Sequence, residues 1–320
     1  AGAVVLPPLF EEQILERQGD LGLNLASEFD SDLSLEDATM EDQFNGGPVR
    51  YLRTIELLKR TTSVPIIASL DGSTAGRWLS FAAALEASGV DAVELNLHRE
   101  FIDASMSGEE VEASLLNCVR AVRDYVTIPV SVKLLPFYTS LANLAQRLQE
   151  AGAAGIVIFG REPKWIVMPD ELRATTEWSL SPAGNIDATI SGLIRARRGV
   201  ADLSIAASGG ISSPAEVAKV ILAGGDVAMV ASEVQREGPL AVSHMVEGLI
   251  SFLDRNHYHS FEEFTRARPQ PVVAFSSRLS YLEPLTHPNR YSDPSPAIPA
   301  RTGDRWGHPD NGTSPRDGHR

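Results

Sequence analysis

Polar chemistry in this chain gathers at the ends of short apolar runs. Residues 203–207 and 227–231 carry no charge, which suits strands buried on both faces of a parallel sheet, and they lead into Ser208-Gly209-Gly210 and into Ser232. Glycine lets a backbone N–H approach an anion with no Cβ in the way, and the N-terminus of a following helix adds partial positive charge. Two such turns on neighbouring strands would form a phosphate cup, whereas a lone Gly209-Gly210 would serve equally as a tight turn. Two further runs end in Glu94-Leu95-Asn96 and Val132-Lys133-Leu134. Strict alternation puts Glu94 and Asn96 on one face of their strand and lets Lys133 point into a barrel mouth. A buried lysine needs an anionic or accepting partner. Lys133 therefore has three readings: a Schiff-base nucleophile, a fixed positive charge beside an electron-rich cofactor atom, or a structural ion pair with Glu94.

The elements that must position these groups repeat along the chain. AGAVVL, SGVDAVEL, AGAAGIVI and GGDVAM each stop a helix at glycine and feed a short strand. Between them lie strands entered differently, after Val64-Pro65, Ile128-Pro129 and Leu203-Ser204. The two kinds alternate, as in a barrel of repeated β/α pairs, and the ligand face of such a barrel is the carboxyl end of its strands. About seven strands can be counted where a closed TM-type count for a (β/α)8 TIM barrel is eight, so the fold expected is α/β, a TIM barrel whose first strand would precede Ala1. On that reading the chain is a fragment lacking its natural beginning. Helix signals agree: Ser213, Pro214 and Glu216 start one helix with a capping box and Gly224 ends it, while Ser107 and Glu110 cap another. Cys118 falls in the apolar stripe of that second helix with Val111, Leu115 and Val122, which makes it a packing residue.

Residues 1–267 are thus one barrel domain, interrupted at about 19–48 by an acidic segment without sustained period. Its carboxylates match no calcium-loop spacing, so it reads as a solvated insertion over the barrel mouth and no metal site is expected. A second irregular stretch, residues 161–185, is a long β/α loop of the kind that covers a site. Residues 268–320 are rich in proline, glycine and scattered arginine, a composition that predicts a disordered tail. The formal charge of -14 argues against a nucleic-acid surface, and no apolar run reaches membrane-spanning length. One cysteine fits a reducing, cytoplasmic compartment. The expected partner is a small molecule, with neither nucleic acid nor membrane, and a homodimer is left open.

Taken together, AGAVVLPPLFEEQI, VPIIASLDG, AVELNL, IPVSVKLLPF, ASGGI and AMVAS resemble the dihydroorotate dehydrogenase-like flavoproteins, class 1, from Ala1 to about Thr265. The resemblance implies FMN across the barrel mouth, with Ser208, Gly209, Gly210, Ala231 and Ser232 around its phosphate. It places Lys133 beside the isoalloxazine ring, where a cation stabilises negative charge on the reduced flavin, and Asn96 facing flavin or substrate. It implies hydride transfer between dihydroorotate or a similar small carbonyl compound and the flavin, in pyrimidine biosynthesis.

Several positions depart from the family pattern. Arg99 stands where these enzymes have a Cys or Ser base, and arginine cannot act as one. His98, with an ordinary pKa of ~6.5, is the remaining candidate base, and Ser105 and Ser107 are further hydroxyls nearby. Pro7 occupies the place of a lysine, Asp71 that of an asparagine, and Gly160 that of an amide side chain near the ring. The readings kept beside the oxidoreductase are a phosphate-binding barrel lyase using Lys133 as its Schiff base, and a catalytically inactive flavin-binding relative.

Overall fold

A computed structural model describes residues 1–15, 46–72, 75–97, 104–200, 202–269 and 282. The seven apolar runs form seven strands: β1 (Val4–Phe10), β2 (Ile66–Asp71), β3 (Ala92–Asn96), β4 (Val130–Leu134), β5 (Gly155–Ile158), β8 (Ser204–Ser208) and β9 (Val227–Met229). They pair in parallel in the order β1-β2-β3-β4-β5-β8-β9, the curled sheet of an α/β TIM barrel. Helices α1 (Gly47–Thr61), α2 (Phe81–Ala87), α3 (Gly108–Arg123), α4 (Leu141–Glu150), α5 (Asp187–Arg197) and α6 (Pro214–Leu222) alternate with the strands. After β9 come α7 (Ser232–Glu237), α8 (Leu240–Arg255) and α9 (Phe261–Arg266).

Alternation along each strand separates two environments. Leu70, Leu95, Val132, Ile156, Ile205 and Ala207 are buried in one core cluster with helix residues such as Leu85, Leu144 and Val220. Their neighbours in sequence form the opposite face. Register puts Phe10, Asp71, Asn96, Lys133, Val157, Ala206 and Val227 side by side on successive strands, one row that lies at the carboxyl ends of β1 to β3 and reaches the first residue of β9.

Local signals explain the helices. In α6, Ser213 Oγ accepts from the Glu216 N–H, Glu216 reciprocates toward the Ser213 N–H, Pro214 occupies the first turn, and Gly224 follows at φ 119°. The same capping box starts α3 at Ser107 and Glu110, and Cys118 is buried on its inner stripe. Trp78 sits in a 3-10 turn that leads into α2 and is fully buried there.

One expectation is corrected. Residues 161–185 are not irregular, because β6 (Lys164–Met168) and β7 (Arg173–Glu177) form an antiparallel hairpin inside that stretch. KWIVM is rich in strand formers and Pro169-Asp170 supplies a turn, so the signal was local. β6 carries the apolar run Trp165 to Met168, but neither strand shows the clean alternation of a half-buried strand. Of the acidic insertion at 19–48 only residues 46–48 lie within the described residues, and of the tail only 268, 269 and 282. Among the described residues no helix is long and apolar enough to cross a membrane.

The last two sheet strands are tied together by Asp226. Its carboxylate accepts from the Ile205 N–H at 2.9 Å, from Arg197, and from Arg268 at 3.0 Å. Arg268 also donates to the carbonyls of Ile221 and Gly225, joining the end of α6 to the segment before β9. Burial pushes the Asp226 pKa up, but the Ile205 N–H, the Arg268 hydrogen bond and the Arg197 charge together outweigh it, and the net shift is downward. A depressed carboxylate contributes stability that is complete above its unfolded value and is lost as pH falls through its folded value. Stability should therefore decline below about pH 4, the ordinary aspartate range. Asp226→Asn should cost about 2 kcal/mol at neutral pH, from hydrogen bonds to charged partners lost or weakened. It should also flatten that acid limb, as read by urea unfolding at a series of pH values.

Candidate active site

The row at the carboxyl ends of β2, β3 and β4 is polar. Asn96 Nδ2 donates to Asp71 Oδ2 at 2.6 Å, and both side chains are buried. One register step deeper, Glu94 is 1% exposed and accepts from Lys133 Nζ at 2.6 Å. Ser69, paired with Glu94 in register, donates its hydroxyl to the same carboxylate at 3.4 Å. Its own N–H donates at 3.1 Å to Tyr51 Oη, which reaches across from α1. Burial raises the Tyr51 pKa, the nearby Glu94 charge adds to the rise, and so Tyr51 stays a neutral phenol.

Lys133 is thus an ion-paired ammonium in the barrel wall with its side chain 19% exposed toward the mouth. Gly160 lies against its stem: a Cβ there would stand 3.3 Å from Lys133 Cγ and Cδ. The glycine found in place of an amide side chain leaves that space to the lysine.

The other half of the mouth is backbone. Gly209 and Gly210 have φ of 97° and 74°, and a Cβ at Gly210 would meet the Asn185 carbonyl oxygen at 2.3 Å. Gly210 is buried, its carbonyl accepts from the Gly184 N–H at 2.9 Å, and among the described residues neither glycine N–H donates to a protein acceptor. Successive backbone N–H groups in such a turn form a concavity that suits an anion. Thr189 Oγ1 holds the turn by donating to the Ser208 carbonyl at 3.1 Å. β9, next in the sheet, leads through Ala231 to Ser232 at the start of α7, and Ser232 Oγ accepts from the Ser181 N–H at 3.0 Å, which leaves the hydroxyl its own proton to donate. The N-terminus of α6 contributes less than its position suggests, because Glu216 already occupies the N–H groups of Ser212 and Ser213. A cleft of about 200 Å³, lined by Phe159, Gly160, Lys164, Ser181, Thr189 and Gly209 among others, lies beside the glycine turn.

The candidate residues Asn96, Lys133, Ser208, Gly209, Gly210, Ala231 and Ser232 accordingly stand at the carboxyl ends of neighbouring strands or just beyond them. His98 and Arg99 lie outside the described residues. Ser107 is occupied as a helix cap. Ser69, Tyr51 and Thr189 are additions. Ser69 was findable from its place two residues before Asp71 on the same strand face, whereas Tyr51 and Thr189 act across long sequence separations that no local pattern reveals.

Comparison with known proteins bears on this arrangement. The sequence model of the family described as dihydroorotate dehydrogenase matches residues 43–253. The chain is similar to the putative dihydroorotate dehydrogenase A (fumarate) of Aeropyrum pernix, 28% identical over 207 residues, 63% of this chain and 66% of that protein. It is also similar to the catalytic subunit of dihydroorotate dehydrogenase B (NAD(+)) of Methanosarcina mazei, 26% identical over 230 residues, 67% of this chain and 69% of that one. A third relative, dihydroorotate dehydrogenase A (fumarate) of Lactobacillus delbrueckii subsp. bulgaricus, is 28% identical over 203 residues, 60% of this chain and 64% of that protein. The chain spans about two thirds of the length of these relatives.

The ion pair sets the outcome of mutating the lysine. Lys133→Ala leaves the Glu94 carboxylate buried without its counter-charge and should cost about 3 kcal/mol in urea unfolding. Adding Glu94→Gln should recover most of that loss, since both charges are then gone. A Lys133→Ala variant as stable as the parent would show that the pair does not form.

Proposed function

The chain belongs to the dihydroorotate dehydrogenase family, and from that premise we propose that it is an FMN-dependent oxidoreductase that oxidises the CH–CH bond of dihydroorotate, in pyrimidine biosynthesis. The observation that carries the reading is the pair of glycine N–H groups at Gly209 and Gly210, which among the described residues donate to no protein acceptor, with Ser232 beyond the adjoining strand and a cleft lined by Gly209 and by Gly160, which packs on the Lys133 stem. FMN fits that donor set. Its phosphate would take the N–H groups of Gly209 and Gly210 and the hydroxyl of Ser232, with Ser208 and Ala231 shaping the two turns. When bound, the flavin supplies the two-electron acceptor for the hydride.

The chain's own residues then have separable tasks. Lys133 holds a positive charge at the level of Asn96, where electron density on a reduced ring would be stabilised. Asn96, fixed by Asp71, offers its carbonyl oxygen and second amide proton to the ring or the substrate. Phe159 and Gly160 bound the cleft and keep water from one side of it. The proton is removed by a group in the segment after Leu97, and of the residues there His98 has the chemistry of a base while Arg99 does not. The lone buried thiol, Cys118, is consistent with a cytoplasmic setting and takes no part in the chemistry.

The Schiff-base lyase is the weaker reading for a physical reason. An amine nucleophile needs its lone pair free to attack, and Lys133 Nζ is engaged with the Glu94 carboxylate at 2.6 Å.

The test uses the whole chain. FMN added to the purified protein should lose fluorescence as it binds, and anaerobic dihydroorotate should then bleach the bound flavin's visible absorption. The Glu94→Gln, Lys133→Met double variant should still bind FMN but bleach about a hundredfold more slowly, the size of effect expected when one charge-stabilising donor is lost. Failure to bind FMN would overturn the cofactor assignment. Binding without bleaching would leave a flavin protein that does not act on dihydroorotate.

A further inference from the structure

A second cavity, of about 130 Å³, adjoins the cleft. It is bounded by the segment between β4 and α4 and by one face of α5, on which Ser191 and Arg195 stand a turn apart. Pro136, Phe159 and Ala188 line both spaces. The Phe159 ring keeps its place because residue 192 is glycine: a Cβ there would stand 2.6 Å from two atoms of the ring. Glycine weakens a helix interior, and in the middle of α5 it lets the ring lie on bare helix backbone.

The lining has one charge sign. Leu135 and Leu141 are buried and form an apolar wall with Phe159. Arg195 is exposed at the rim, and among the described residues it makes no ion pair or hydrogen bond. Burial, and then the nearby Glu112 charge, pushes the Tyr138 pKa up to about 12, so this lining residue stays a neutral phenol. Glu112 itself is engaged by Arg147, and among the described residues no carboxylate lines the cavity. In a chain of formal charge -14, a small cavity with a cation at its rim and no acid in its wall suits an anion. A guanidinium matches a carboxylate with two parallel hydrogen bonds. A phosphate dianion would lose water against leucine and phenylalanine with a single counter-charge. The volume falls well below the ~300 Å³ at which drug-sized pockets begin, so the occupant is short.

We propose that this cavity is an effector site for a short-chain monocarboxylate, its carboxylate on Arg195 and Ser191 and its alkyl end against Leu135, Leu141 and Phe159. An occupant there backs the Phe159 ring, whose other surroundings are the cleft proposed for flavin. Coupling between two sites is reciprocal, so an acid that holds the ring in its flavin-binding position is itself held more tightly when flavin is bound. Binding of the acid is independent of what the cleft takes. Its effect on flavin rests on the function proposed above.

Pentanoate tests this on the full chain. Saturation-transfer NMR should show it binding in the millimolar range, as suits so few contacts, and pentanol, which lacks the charge, binding at least tenfold more weakly. Arg195→Met removes the cation and Ser191→Leu fills the cavity, and each should weaken pentanoate about tenfold. Both replace exposed residues of α5 with good helix formers, so far-ultraviolet circular dichroism should be unchanged. Saturating pentanoate should tighten FMN binding, followed by flavin fluorescence, about fivefold in the parent and leave it unchanged in both variants. Absence of pentanoate binding, or binding that neither variant weakens, would overturn the site. Binding that leaves FMN affinity unchanged would overturn the effector role. A chain that takes pentanoate through Arg195 but takes no FMN would uphold the site and overturn the flavin reading on which the coupling rests.

Discussion

A lysine ammonium cannot sit in a barrel wall without a counter-charge, and the rest of this molecule's mouth is arranged around meeting that demand. Removing both ions from water costs several kcal/mol each, so the Lys133–Glu94 contact has to be close and well supported to persist. Support comes from the Ser69 hydroxyl on the carboxylate and from Tyr51, which fixes Ser69 by its backbone. The pair also pins register. A slip of one residue between β3 and β4 would send one of the charges to the helix-packed side, where Leu95 and Val132 are fully buried. The same interaction that makes the lysine affordable to the fold aims it at the mouth.

The row above that pair divides the mouth into unlike halves. β2 to β4 contribute Asp71, Asn96 and Lys133, while β5, β8 and β9 contribute Val157, Ala206 and Val227. A flat group with a polar edge and an apolar face matches such a floor, with its anionic end at the glycine turn beyond β8. The cup for that end is assembled from three segments. The Gly184 N–H on the Gly210 carbonyl and the Ser181 N–H on the Ser232 hydroxyl bring the connection after the hairpin onto both turns. Asp226 with Arg197 and Arg268 holds β8 and β9 in place beneath them. Hairpin, turns and clamp therefore form one mechanical unit, and a change at β7 has a short route to the site.

What could be read from the sequence follows from how local each signal is. Capping boxes at Ser107 and Ser213 involve residues three apart, and the seven strands announce themselves as short, mostly apolar runs, so both were legible. The Lys133–Glu94 pair was legible as one of three alternatives because alternation alone puts the two on facing strands. Tyr51, Thr189 and Ser181 were not, since each acts on a residue 18 to 51 positions away through a contact that only packing creates. The hairpin was missed because strands exposed on both faces carry no alternation to read. His98, Arg99 and the segment at 19–45 lie outside the described residues.

The departure at Asp71 has a consequence for recognition that the fold alone would not suggest. An asparagine at that place could either donate to or accept from Asn96, and the Asn96 amide could then turn either way. A carboxylate only accepts, so Asp71 takes Asn96 Nδ2–H and sets the amide orientation. The Asn96 carbonyl oxygen is thereby directed away from Asp71, available to a ligand that presents an N–H donor. Lys133 beside it presents only donors. The two strand ends together offer an acceptor and a cation at one level. A buried amide oxygen left without a donor costs free energy, so the amide orientation that Asp71 imposes constrains what the mouth can hold.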